Sequence, residues 1–577
     1  MYFLEKLKQE LAKEVNKKLG CKLVQSQDFE YPPENAKGGD LALPLFKLAK
    51  ALKKSPTKLT TEIKNKWIER METNGPYINF YLKRGAVAKE ILKNVQSPTL
   101  NIGKGEKVML EYVSPNSNKP LHLGHIRNAF LGEALANIME FAGHKVKRSC
   151  LVNDRGVAIC KAMLAYKLWG KNDTPLKSGM KPDHFVGKYY VMFEKKKTRL
   201  ALTSDSESRR GPALEKQAQE MLQKWEKGDR ATVALWKTMQ KWVLDGYEKT
   251  YKRLGVSFDK VYYESELYKD GKKIVEEYLK KKKFSKDEKG NIVAKLEKCN
   301  LPDKIMLRAD GTAIYSTNDL ALAKERIREG YKKIYYVVGS EQDLYFKQLF
   351  CVLGQLDFGK TAELKHLSYG LVELPEGRMK SREGTVVDAD DLLDKMEELA
   401  GKEVKARNDF IKQAESDRRA AIIASAALKF YILNVNPATR IKFNPKESIN
   451  FTGKTGPYLL YSYARLHSIL RKSKGKKVVG LREPYSEGLE KDEVWEMILE
   501  VAKFPEAVLS AVEGMDPEEV SSYLYSLSGN ISDFYHKVRV LEAEPAERQL
   551  LMVVIENVLK TMETGLGLLG IEVLEEM

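Results

Sequence analysis

The residues best suited to chemistry lie in one stretch, Ser114-Pro115-Asn116-Ser117-Asn118-Lys119-Pro120-Leu121-His122-Leu123-Gly124-His125. It follows an apolar run, Val108-Met109-Leu110-Glu111-Tyr112-Val113, and precedes residues that repeat at helical spacing, Phe130, Ala134, Leu135, Ile138 and Met139. A loop between a strand and a helix ends at a helix N-terminus, where unpaired N–H groups and the helix dipole favour phosphate. His122 and His125, three apart in the first turn, project to one side. Two imidazole donors aimed at a phosphate stabilise charge as it grows in a transition state. Gly124 between them removes a side chain, so a flat base can approach the backbone. Two histidines at this spacing also suit a metal, but no third ligand stands nearby in sequence, and no metal site is expected.

Such groups need a rigid platform. Strand candidates at 108–113, 146–152, 334–338 and 366–372 alternate with helical periodicity, the pattern of a doubly wound parallel sheet with ligands at the strand carboxyl ends. We assign this α/β core to residues 101–400, with an insertion at about 195–300 whose charged stretch 195–230 reads as helix or loop. Residues 1–100 read as a small α+β unit. Leu4, Leu7, Leu11 and Val15 form one helical stripe. Asn74-Gly75-Pro76 followed by the alternating run Tyr77-Ile78-Asn79-Phe80-Tyr81-Leu82 reads as a hairpin or edge strand. Ser97-Pro98 to Gly105 reads as a linker. Strand signals nearly vanish beyond residue 400, and 401–577 reads as an all-α bundle.

The chain has 577 residues, enough for three or four folded units. Its 43% apolar and 9% aromatic content excludes wholesale disorder and a collagen-like polymer. Lysine and arginine outnumber aspartate and glutamate 98 to 80, a net charge of +18. This suits a polyanionic partner, nucleic acid ahead of a membrane surface, although a basic enzyme kept dispersed by its charge has the same balance. The four lysines at 280–283 read as a solvated helix end. Cys21, Cys150, Cys160, Cys299 and Cys351 are irregularly spaced without a CxxC, so neither structural zinc nor a disulfide framework is expected, and a reducing compartment fits. Residues 1–20 carry charge throughout, unlike a signal peptide, and the most apolar run, 420–428, is too short to cross a bilayer. No membrane partner and a cytoplasmic location are expected.

His-Leu-Gly-His resembles the HIGH signature of class I aminoacyl-tRNA synthetases. The surrounding Ser-Pro-Asn…Lys-Pro-x-His-x-Gly-His is similar to the version in arginyl-tRNA synthetases. Further similar stretches follow in order: Val152-Asn153-Asp154-Arg155-Gly156, Asp183-His184-Phe185-Val186-Gly187, Tyr189-Tyr190-Val191, Tyr315-Ser316-Thr317-Asn318-Asp319, Ser340-Glu341-Gln342-Asp343 and Thr455-Gly456-Pro457-Tyr458. The resemblance covers nearly the whole chain. It implies a Rossmann-type class I catalytic core, an N-terminal tRNA elbow-binding α+β domain and a C-terminal all-α anticodon-binding bundle. It also implies an arginine–tRNA ligase: arginine and ATP give arginyl-adenylate and pyrophosphate, and arginine then passes to the 2′-hydroxyl of the terminal adenosine of tRNA(Arg). The partners implied are tRNA(Arg), L-arginine and ATP with Mg2+ travelling on the nucleotide, and the chain is expected to act as a monomer.

The resemblance also implies roles. His122, Gly124 and His125 serve ATP, together with Leu371, Val372 and Met379. The KMSKS signature appears as Arg378-Met379-Lys380-Ser381-Arg382-Glu383-Gly384, a departure in which Ser381 holds the place of the catalytic lysine. Lys119, just before the HIGH-like run, is expected to supply the missing charge, with Lys380 as competitor and Arg382 beside it. Glu111, Tyr315 and Asp319 hold the arginine guanidinium, and Asn116 and Gln342 its α-ammonium. A forked cation matches a buried carboxylate, and lysine would leave polar groups there unpaired. By residue type alone, Asp319 also reads as a helix-start carboxylate and Glu111 as a surface residue of an edge strand. Asn74, Tyr77 and Asn79 match positions that contact a D-loop base, although a tyrosine packed in a hairpin reads equally well. Tyr458, Tyr461, Tyr463, Arg465 and Arg471 suit either a single-stranded loop or a half-buried helix. Two rival readings are a catalytically silent tRNA-binding paralogue and a class I enzyme of another specificity, such as cysteinyl, which the missing zinc-ligand cysteines disfavour.

Overall fold

The computed structural model describes residues 2–577 apart from 33–38, 60–61, 95–99, 203–209, 374–386, 408–409 and 474–487. At the N-terminus, helix Phe3–Leu19 buries Leu4, Leu7, Leu11 and Val15 in the same core as Ile78, Phe80 and Leu82. Those last three lie on a three-stranded antiparallel sheet of β1 (Leu41–Pro44), β2 (Ile68–Asn74) and β3 (Tyr77–Leu82), in the order β1-β3-β2. The hairpin turns at Gly75 with φ +56°, a conformation that glycine adopts without strain. β3 is the central strand, so the hairpin reading stands and the edge-strand alternative is corrected: β1 covers its other side.

The core sheet is parallel. β4 (Lys107–Glu111), β5 (Lys145–Val152) and β6 (Lys260–Tyr263) run in sequence, and the helices Val157–Trp169, Pro182–Leu202, Arg210–Glu226 and Arg230–Leu254 fill the β5–β6 connection. After helix Glu264–Lys280 comes a small antiparallel sheet, β7 (Phe284–Lys286), β8 (Ile292–Ala294) and β9 (Lys304–Leu307). β10 (Lys333–Gly339) and β11 (Glu363–Tyr369) then complete the order β11-β10-β4-β5-β6. The chain therefore departs to opposite sides of β4, and the crevice at the carboxyl ends of β4 and β10 is the switch point where such sheets bind ligands. β4, β5, β10 and β11 fall where the apolar runs lie. β6 to β9 are three or four residues long, below the length at which alternation is legible.

Cys299 and Cys351 form a disulfide with Cα atoms 6.5 Å apart, which corrects the expectation drawn from their irregular spacing. They lie 52 positions apart in the sequence, and they meet because the β8–β9 connection packs on helix Asp343–Gln355. Gln348 Nε2 donates to the Pro302 carbonyl at 2.8 Å and Gln355 Nε2 to that of Lys295 at 3.0 Å.

Beyond the core, helices Gln413–Leu433, Gly456–Lys472, Asp492–Gly514, Glu518–Lys537 and Pro545–Leu568 form the bundle. One departure from all-α is β13 (Ile441–Lys442), which pairs in parallel with β12 (Val372–Glu373). Thr455 caps helix Gly456–Lys472 by accepting the Tyr458 N–H at 3.3 Å. The bundle also meets the N-terminal unit through Lys8–Glu506 at 3.0 Å and Trp495 Nε1 donating to Asp40 at 2.6 Å. Among the described residues no helix is long and apolar enough to cross a membrane.

Candidate active site

The chain leaves β4 through two residues in the left-handed region, Val113 at φ +69° and Ser114 at φ +38°. A β-branched residue there costs on the order of 1–2 kcal/mol, and the turn is held from several sides. Asn128, on helix Leu123–Phe141, accepts the Val113 N–H at 2.5 Å and donates to the Val337 carbonyl and the Tyr369 hydroxyl at 2.7 and 3.0 Å. One amide thus ties the carboxyl ends of β4, β10 and β11. Asn153 donates to the Ser114 carbonyl at 3.1 Å. The Tyr247 hydroxyl donates to the carbonyls of Asn116 and Lys119 at 2.9 and 2.7 Å. Asn128, Asn153 and Tyr247 carry no sequence signal of this role beyond their residue types, because each acts across more than ten residues.

His122 is the N-cap of helix Leu123–Phe141. Its Nδ1 accepts the Gly124 N–H at 3.2 Å, and His125 Nδ1 accepts the His122 N–H at 3.1 Å; the rings lie 3.9 Å apart. With both Nδ1 atoms accepting, each neutral ring carries its proton on Nε2 and presents a donor there. Burial, helped by the Lys119 charge, lowers His122 to about 4, and burial with His122 and Lys119 holds His125 well below its ordinary value. Neutral donors at a helix N-terminus are what a phosphate-binding turn requires. A Cβ at Gly124 would stand 3.0 Å from the His122 ring, so this glycine also makes room for the histidine cap. Lys119 and His122 line one cavity of about 640 Å³ with His184, Lys188, Tyr190 and Asp388.

The second signature is legible only at its ends, since Met379, Lys380 and Arg382 lie outside the described residues. Leu371 and Val372 lie on its approach. Arg127, fully buried on the His122 helix, donates to the carbonyls of Gly370 and Leu371 at 2.7 and 3.3 Å and to those of Pro437 and Thr439 at 2.9 and 2.8 Å. On the far side, the Leu123 N–H donates to the Val387 carbonyl at 3.2 Å and the Ala389 N–H to that of Leu121 at 3.0 Å.

Glu111 ends β4, a central strand, and is buried, which sets aside the edge-strand surface reading. Its Oε2 accepts Arg326 at 2.5 Å and its Oε1 the Ser114 hydroxyl at 3.1 Å. Tyr315 and Asp319 lie one turn apart on helix Tyr315–Arg328. Ile314 is the N-cap of that helix, and the Thr317 hydroxyl in its first turn accepts the Ile314 N–H at 3.0 Å, while Asp319 accepts the Tyr345 hydroxyl. Burial raises the Asp319 carboxyl to about 7, against the Tyr345 hydrogen bond and with Glu111 adding to the rise. Burial likewise raises Glu264, at the carboxyl end of β6, to about 8, against the hydrogen bond from Asn318 at 3.1 Å and with Asp319 adding. Acids that burial holds towards their neutral form are matched to a positively charged ligand, which favours their ionised form. Asn116, in the loop after β4, and Gln342, in the 3-10 turn Ser340–Gln342 after β10, are exposed at the carboxyl ends of adjacent strands. Glu264 was not singled out from sequence, because the short β6 before it gives no strand signal.

In the N-terminal unit, Asn74 and Tyr77 are register partners across the hairpin, and Tyr77 packs edge-on against the exposed Phe46 at 5.9 Å. Asn79 is buried beside them on β3. In the bundle, Tyr463 is buried, Tyr458 donates to the Ser528 carbonyl at 3.3 Å and Arg471 pairs with Glu576, in line with the packed-helix reading for these three. Arg465 stacks on Tyr461, 4.2 Å from the ring centre.

Known proteins resemble this chain along nearly its whole length. Residues 87–444 match the family model for tRNA synthetases class I (R), catalytic domain; 5–82 match the arginyl tRNA synthetase N terminal domain and 459–577 the DALR anticodon binding domain. The arginine–tRNA ligase of Treponema denticola is 40% identical, over 91% of this chain and 90% of its own. That of Bacteroides thetaiotaomicron is 41% identical over 96% of each. The Thermus thermophilus arginyl-tRNA synthetase structure shares the fold over the whole of both chains, with a TM-score of 0.81 at 24% identity. With family models over all three parts of the molecule and relatives at this identity along nearly its full length, the chain belongs to the arginyl-tRNA synthetases, the class I arginine–tRNA ligases.

Proposed function

We propose that this arginine–tRNA ligase activates its amino acid between the His122–His125 turn and the Asp319 recess. ATP enters as its magnesium complex, as substrate, with its phosphates at the Nε2 donors of His122 and His125 and its base over Gly124, Leu371, Val372 and Met379. The arginine guanidinium meets Asp319 and Tyr315, with Glu111 behind them, and its α-ammonium meets Asn116 and Gln342. A carboxylate oxygen of arginine attacks the α-phosphorus in line, and pyrophosphate leaves; the protein's part is positioning and charge neutralisation. The 2′-hydroxyl of the terminal adenosine then attacks the acyl carbon, AMP leaves, and the hydroxyl proton departs with it or to water. Lys119 supplies the positive charge missing from the KMSKS-like loop, ahead of Lys380 and Arg382. The observation that carries this reading is the pair of neutral histidines capping one helix at the sheet's switch point, with Lys119 close enough to depress both.

Asn74 and Tyr77, with Asn79 beneath, meet the tRNA elbow, with Phe46 extending the aromatic face. The chain works as a cytoplasmic monomer, divided at 1–100, 101–400 and 401–577. The test is arginine-dependent ATP–pyrophosphate exchange with and without tRNA(Arg). Exchange only with tRNA is the expected result, and loss of exchange in His125→Ala without loss of tRNA binding locates the activation site. Full activity in that variant would remove the turn from the mechanism.

A further inference from the structure

Helix Pro182–Leu202 presses on the His122 turn: a Cβ at Gly187 would lie 2.7 Å from Pro120 Cδ. The same helix grips the segment that leaves the second signature. His184 Nε2 lies 3.3 Å from Asp388 Oδ2 and 3.4 Å from Asp390 Oδ2. Lys181 Nζ sits 2.6 Å from Asp390 Oδ2, 3.0 Å from Asp183 Oδ2 and 2.5 Å from Thr250 Oγ1, and Arg253 reaches Asp390 Oδ1 at 3.3 Å. Asp388 itself forms a backbone bridge with His122. Its two oxygens divide the work: Oδ1 accepts the Asp390 N–H at 2.8 Å, capping helix Ala389–Arg407, and Oδ2 faces His184.

We propose that His184 is a positioning residue for arginine activation, holding Asp388 in register with His122 so that the two signature segments meet in one arrangement. It acts through Asp388 and does not itself touch the reacting atoms. Asp183, His184 and Asp390 bring potential ligand atoms within 4.8 Å of one another, but the Lys181 ammonium already sits between the two carboxylates, so the cluster carries its own cation. The Asp388 and Asp390 carboxylates that face its ring, acting against burial, raise His184 to about 10.

The experiment is a double-mutant cycle on the full chain in tRNA-dependent ATP–pyrophosphate exchange. Asp388→Asn keeps the capping oxygen and removes the charge facing His184. His184→Ala is expected to lower kcat about tenfold with the arginine KM unchanged, and Asp388→Asn to do the same. The double variant is expected to be no worse than either single one, because one interaction is lost only once. His184→Gln, which keeps a donor at that reach, should recover activity to within about threefold of wild type. Additive losses, a change in arginine KM alone, or full activity in Asp388→Asn would overturn the proposal. So would a loss that tracks the folded fraction in thermal melts. If His184→Ala does not fold, His184→Gln and Asp388→Asn complete the comparison.

Discussion

Arg326 and Glu111 form an ion pair of 2.5 Å in the interior, the arginine fully buried and the glutamate nearly so. Rings of Tyr262 and Tyr336 flank the guanidinium, at 4.9 and 5.5 Å. The pair joins the end of β4 to the helix that carries Tyr315 and Asp319, so it fixes the position of that helix against the strand. Arg326→Leu leaves a carboxylate buried without its partner, which costs roughly 3–5 kcal/mol. Urea unfolding should show a destabilisation of that size, and a change below about 1 kcal/mol would mean the pair is not closed in solution.

Arginine affinity should rise with pH. The Asp319 carboxyl, raised to about 7 by burial, is partly protonated near neutral pH in the free protein. A bound guanidinium favours its ionised form, so binding releases a proton below pH 7 and affinity increases from pH 6 to 8. Calorimetry in buffers of different ionisation enthalpy measures this release. In Asp319→Asn both the proton release and about 1.5–3 kcal/mol of affinity, the size of a charge-assisted hydrogen bond, should disappear.

Stability should fall on the acid side for an identifiable reason. His122, lowered to about 4 by burial and Lys119, stays neutral when folded but charges near 6.5 when unfolded. The unfolded chain therefore binds the extra proton between these values, and this stabilisation, complete above pH 6.5, is lost as pH falls towards 4. The melting temperature of His122→Asn should decline less steeply than wild type across that window, and parallel curves would contradict the assignment.

Lys119→Ala should lower the turnover of pyrophosphate exchange far more than Lys380→Ala. Loss of one preorganised charge at a developing phosphate oxyanion is worth about 10²–10³ in kcat. The reverse ranking would transfer the role to the second signature.

Binding of tRNA should weaken steeply with salt, as expected for many lysine–phosphate contacts. Tyr77→Ala should weaken tRNA binding by about 1–3 kcal/mol, the worth of one base–aromatic stack, while leaving the salt slope unchanged. A filter-binding series from 50 to 200 mM salt checks both quantities.

The loop from Ser114 to His125 was readable as a strand-to-helix turn because its twelve residues are consecutive and flanked by local strand and helix signals. The N-terminal stripe and four core strands were readable because alternation and helical spacing are local. Asp319 was ambiguous until Thr317 proved to be the residue accepting the Ile314 N–H. Glu264, Arg326, Arg127 and Tyr247 were silent because each gains its role from a partner far along the chain. The Cys299–Cys351 bond was hidden for the same reason.

Arg127 spends its guanidinium on four carbonyls, two from the segment leading into the second signature and two from the turn before β13. A planar fork has no slack with which to follow two partners in different directions. The turn that leads into the bundle and the strand end beside the second signature are thus tied to the one helix that His122 caps, by a single side chain.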